Sequence, residues 1–151
     1  MELFGDQLIG VGWIITYTRL GADDPVSRDE ILDSDLIDDT AKEHLESPEE
    51  GLAELRRIYN DYDNLTNANF TDMSMWAAYF GDPEFAIDAL EKAFSIQSAR
   101  VVWIWAPVMR KVRQLPRFKE FVREIGLVDY WKEYGWPDLC RPVGDDDFVC
   151  D

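Results

Sequence analysis

The chain has 151 residues, 46% hydrophobic and 13% aromatic, which suits one domain with a real core and is too apolar for a disordered composition. Its formal net charge of −16 argues against nucleic acid and against anionic membrane, because both demand a cationic face. The longest apolar runs, 8–17 and 101–109, fall well short of the roughly 20 residues that span a bilayer, and Glu2 and Asp6 do not fit a signal-peptide start.

At the beginning, Leu3, Phe4, Leu8, Val11, Ile15 and Leu20 fall at helical spacing despite Gly10 and Gly12, and the GADDP stretch at 21–25 stops that helix. Residues 27–46 form a strongly acidic amphipathic pattern around Ile31, Leu32, Leu36, Ile37, Ala41 and Leu45. Charge at that density is ordinarily a solvated helix face, and no acid–base chemistry follows without a desolvated carboxyl group. His44, the only histidine, has neither a nucleophile nor a second metal ligand at helical spacing, so it reads as a packing or surface residue.

Ser47-Pro48-Glu49-Glu50 has the order of a capping box with proline in the first turn, so a helix should start there. Asn60 to Asn67 superficially suggests a calcium loop, but Leu65 takes a ligand position and the loop glycine is missing; a polar interhelical turn is the better reading. The sequons at Asn64 and Asn69 matter only in a eukaryotic secretory setting.

Beyond the turn, Phe70, Met73, Ala77, Ala78 and Phe80 give an apolar stripe. Gly81 can end that helix with a positive φ, Asp82 can cap the next, and Pro83 fits its first turn. Ala86, Ala89, Leu90, Ala93 and Phe94 then recur on one face, with small residues that let two helix axes approach. An antiparallel hairpin follows. Placing Pro48 on Pro83 gives an offset of 35 residues and pairs Gly51 with Ala86, Leu52 with Ile87, Leu55 with Leu90 and Tyr59 with Phe94.

From Val101 to Val112 apolar residues cover most of a helical circumference, so a central helix kinked at Pro107 is expected. The basic residues Arg110, Lys111, Arg113, Arg117, Lys119 and Arg123 should pair with the acidic 27–46 segment. After Gly126 a short helix should place Tyr130, Trp131 and Tyr134 over the last hydrophobic face as a cap. Cys140 and Cys150 are compatible with a disulfide or with two thiols, and the Asp145-Asp146-Asp147 run between them reads as a solvated tail. Four suitable ligands for zinc are lacking, and no metal or cofactor is expected.

The segment GDPEFAIDALEKAF resembles the second half of a tetratricopeptide repeat, with Ala86 and Ala93 at the small positions and Leu90 at the large one. Phe70, Met73 and Ser74 take the places of its Trp, Leu and small residue, while Ala77 and Ser98 depart from the usual aromatic and proline. More widely, WAAYFGDPEFAIDAL, WAPVMRKVRQLPRFKEFVREIGLVDYW and GWPDLCRPVGDDDFVC resemble the C-terminal helical-repeat region of bacterial adenylate/guanylate cyclase-like proteins, over 47–150, with no counterpart of the catalytic domain.

The expected fold is an all-α, tetratricopeptide-like right-handed superhelix of antiparallel hairpins in one domain, 1–151, with units near 30–62, 67–98 and 99–125 and a cap and tail at 126–151. The expected function is non-catalytic: binding of a protein or peptide, as a regulatory or assembly part of the cyclase-like system that the resemblance implies. By analogy with such arrays, Thr71, Met75, Tyr79, Trp103 and Arg110 are the candidate contacts. A self-associating homodimer is the alternative, because the repeat count is marginal for an isolated array. The expected compartment is the cytoplasm, or the periplasm if the chain belongs to a longer membrane-anchored protein.

Overall fold

The computed structural model describes residues 47–61, 65–96 and 101–151. The expected helices before Ser47, the acidic segment at 27–46 and His44 lie outside the described residues. Those described are mostly helical: α1 (Pro48–Asp61), α2 (Asn67–Tyr79), α3 (Pro83–Ile96), 3-10 turns at Val101–Trp105 and Pro107–Met109, α4 (Arg110–Arg113), α5 (Pro116–Glu124) and α6 (Leu127–Tyr134). A small antiparallel sheet, β1 (Cys140–Val143) and β2 (Asp147–Cys150), closes the chain.

Helix α1 begins at Pro48, as the proline and its flanking residues predict, and it buries Leu55 and Ile58 while Ala53 and Arg56 face outward. Helix α2 is started by a device overlooked in the polar turn. The Thr66 hydroxyl accepts from the Asn69 backbone N–H at 3.3 Å, and Asn69 Oδ1 accepts from the Thr66 N–H at 2.9 Å. This reciprocal pair satisfies two of the free donors at the helix start.

The apolar stripe underestimates how deeply α2 is buried. Every residue from Phe70 to Ala77 is buried, including Thr71, Asp72 and Ser74. The Ser74 hydroxyl donates to the Thr71 carbonyl at 2.6 Å, which satisfies one hydroxyl that would otherwise be costly to bury. Helix α2, rather than the 101–112 segment, is thus the central one.

At the break, Gly81 has φ 91°, the Phe80 N–H donates to the Trp76 carbonyl, and Asp82 Oδ1 accepts from the Phe85 N–H at 3.0 Å. The chain reverses there and α3 packs back along α2. We expect Asp82→Ala to lower stability by about 1 kcal/mol through loss of the cap, and Asp82→Asn to lose much less, in urea unfolding followed by circular dichroism. Helices α1 and α3 are each 14 residues long and start 35 residues apart. At that offset Gly51 and Ala86, Leu55 and Leu90, and Ile58 and Ala93 are buried pairs and Tyr59 and Phe94 are both half-buried, but Glu50 is exposed where Phe85 is buried, and Leu52 and Glu54 are half-buried where Ile87 and Ala89 are buried.

The single kinked helix expected over 101–112 is replaced by two 3-10 turns and one turn of α-helix. Ala106, before Pro107, is extended at φ −57°, ψ 141°, the region into which a following proline drives a residue. A second proline, Pro116, opens α5 after an extended Leu115 that carries no side-chain cap. Gly126 at φ 79° then admits α6.

The acidic tail is not a tail. Gly144, at φ 64°, turns the chain so that Cys140 stands opposite Cys150 and Val143 opposite Asp147. The two cysteines form a disulfide. Phe148 on β2 is buried against Trp131 and Trp136, at ring separations of 5.9 and 5.5 Å. The aromatic cap therefore consists of Trp131, Trp136 and Phe148. Tyr130 and Tyr134, expected to cover the core, remain 57% and 68% exposed and pack on each other at 4.8 Å.

Candidate functional site

Helices α1 and α3 form one cleft of about 290 Å³, lined by Tyr59, Asp88, Glu91, Lys92 and Ser95, and α5 reaches its carboxylates through Arg117. Tyr59 leans edge-on against Phe70 and Phe85, each at 5.5 Å, so its ring is fixed by the core while its hydroxyl end reaches the cleft side. Asp88 and Glu91 lie three residues apart on α3 and face the same side. Arg117 of α5 donates Nη1 to Asp88 Oδ1 and Nη2 to Glu91 Oε2, both at 2.7 Å, with Glu84 further off at 3.7 Å.

Burial raises the Tyr59 phenol, the Asp88 and Glu91 charges raise it further, and Arg117 opposes them, so Tyr59 stays protonated. The hydrogen bond that Arg117 donates to Asp88 leads the causes that raise its pKa against a desolvation penalty. The arrangement is a charge clamp that ties α3 to α5, half exposed and worth little by itself.

Of the basic residues, Arg117 finds carboxylates on α3, and Lys119 and Arg123 find one in the C-terminal hairpin; the 27–46 segment lies outside the described residues. Lys119 Nζ donates to both oxygens of Asp147 at 2.9 Å, and Arg123 reaches the same carboxylate at 3.2 Å while also lying over the Phe148 ring. The hydrogen bond from Lys119, aided by the Phe148 N–H, holds the Asp147 carboxyl below its ordinary value of 3.8. The sign follows directly: this contribution is complete above the ordinary value and disappears as pH falls through the lower folded one. We expect wild type to melt above Asp147→Asn at pH 6 and the gap to close on acidification below that value, in thermal scans at stepped pH.

The five expected contact residues are not brought together on one open surface. Thr71, Met75 and Trp103 are buried, at 1%, 2% and 8% exposure; Tyr79 is half-buried and packs edge-on against Trp76 at 5.6 Å; Arg110 alone is exposed. The reason is the burial of α2 on nearly every side, which a stripe-based reading of an array does not anticipate.

A second cleft, of about 280 Å³, opens beside the cap between Trp105 and the Pro137-Asp138-Leu139 loop. Trp105 in the first 3-10 turn, Trp131 in α6 and Trp136 in the loop after it meet beside this cleft at ring separations of 5.7 and 5.6 Å, and their spacing along the sequence does not announce it. Among the described residues no group of three His, Cys, Asp or Glu side chains is arranged to hold a metal. Likewise no described helix is long and apolar enough to cross a membrane. Compared with family models, with curated proteins and with solved structures, the chain has no match.

Proposed function

We propose that the chain is a non-catalytic, tetratricopeptide-like helical module that binds a protein or peptide. The observation that carries this reading is the recurrence of α1 as α3, equal in length, offset by 35 residues and burying the equivalent pairs Gly51 and Ala86, Leu55 and Leu90, and Ile58 and Ala93, joined through the α2–α3 hairpin. Repeating hairpins are scaffolds: each unit buries one face on its neighbour and leaves the outer faces for a partner. A regulatory or assembly role in a cyclase-like system rests on the sequence resemblance alone.

Affinity capture from native lysate tests it, with wild type compared with a variant carrying Arg110→Glu and Tyr79→Ala, the two least buried of the expected contacts. A protein retained by wild type and lost by the variant, then shown to bind when purified, supports the module. Identical recovery of every protein removes those residues from the interface, and recovery of none removes the function. The exposed Tyr130–Tyr134 pair favours a second reading, a homodimer formed through α6. Light scattering separates the two, since a concentration-independent monomer eliminates self-association.

A further inference from the structure

We infer that the cleft beside the C-terminal cap receives an arginine or lysine side chain presented by the partner polypeptide. The inference rests on the peptide-binding reading and names the chemistry of one contact within it. The cleft, of about 280 Å³, has room for one long side chain.

Its lining selects a cation with an apolar stem. Trp105 is half-buried, held by Trp131 at 5.7 Å, and its remaining indole surface forms one wall. Pro137 and Leu139 supply the apolar floor for methylene groups, and Asp138, exposed at the rim, is the only charged residue in the lining. An indole face and a carboxylate together attract a guanidinium or ammonium group, the first through its quadrupole and the second through charge. An anionic ligand would meet Asp138 in a chain of net charge −16, and a purely apolar one would leave that carboxylate without a counter-charge.

No cation among the described residues fills the place. Lys119 and Arg123 are committed to Asp147 and to the Phe148 ring, Arg113 to backbone carbonyls, and Arg141 to the Asp151 carboxylate; among the described residues Asp138 forms no ion pair. The wall is also built in advance. The Cys140 N–H donates to the Pro137 carbonyl at 3.0 Å, the Asp151 N–H donates to the Leu139 carbonyl at 2.8 Å, and the Cys140–Cys150 disulfide joins the two strands beneath. Binding therefore need not order the loop, which lowers its entropic cost.

The test uses the full chain, nitrogen-15 labelled, titrated with a blocked Gly-Gly-Arg-Gly-Gly peptide and with its norleucine counterpart. The Trp105 indole N–H, assigned by its absence in Trp105→Phe, should shift saturably with the arginine peptide, and about tenfold more weakly with norleucine or in Asp138→Asn. An unmoved indole up to about 10 mM peptide, or equal binding by the norleucine peptide or by Asp138→Asn, overturns the inference. A captured partner that Asp138→Asn retains at full affinity also overturns it, while leaving the peptide-binding reading intact.

Discussion

Arg113→Met should lower the stability of the chain by about 3 kcal/mol, the largest effect we expect from any single charged residue. The guanidinium is 4% exposed and is surrounded by carbonyls. Nη1 donates to Ile104 at 2.8 Å and to Ala106 at 2.9 Å, and Nε donates to the backbone oxygen of Asp151 at 2.7 Å. Burial, with Arg110 second, pulls its pKa down to about 10 against the charge of Asp151, so it remains a cation at neutral pH. It thereby joins the irregular 101–106 segment to the last residue of the chain. Methionine fills the space but leaves those oxygens without donors. Arg113→Lys restores the charge without the fork that reaches three acceptors, and should recover only part of the loss. Urea unfolding monitored by tryptophan fluorescence measures both.

Ala86→Leu should cost about 1–3 kcal/mol, whereas Ala53→Leu, one face away on α1, should lie within about 0.5 kcal/mol of wild type. Ala77, Ala86, Ala89 and Ala93 are all between 0% and 2% exposed, so the α2–α3 contact is made by methyl groups with no room to spare. Additional methylenes there must displace a helix or force a strained rotamer. Ala53 is exposed, and leucine on that face meets water. If the two substitutions destabilise equally, the hairpin is not held by close packing of small residues.

The α2–α3 hairpin was legible because it is written in local chemistry. Gly81, Asp82 and Pro83 each have a conformational reason to stand where they do, and the alanine face repeats at helical spacing. The offset of Pro48 from Pro83 was legible for the same reason, since a helix start leaves a signature within a few residues. Most of the failures have a deciding contact distant in sequence, and one, at Pro107, is local. Asp145 to Asp147 are exposed as their sequence suggests, but the segment is a hairpin rather than a tail, because Lys119 and Arg123 from α5 hold Asp147 and Phe148 packs against Trp131. Val101 to Val112 look like one helix because apolar content alone does not register the extended backbone that Pro107 imposes at Ala106. Arg113 looks like one more member of a basic cluster, and only its carbonyl partners reveal it as core. The expected contacts suffered most, because whether Met75 or Thr71 faces a groove depends on what else packs on α2.

The most direct test of the account is titration calorimetry between the purified chain and each purified protein recovered by affinity capture. A helical binding module predicts saturable, one-to-one association with at least one of them and a negative heat-capacity change from buried apolar surface. No measurable association with any of them at about 100 μM would contradict it.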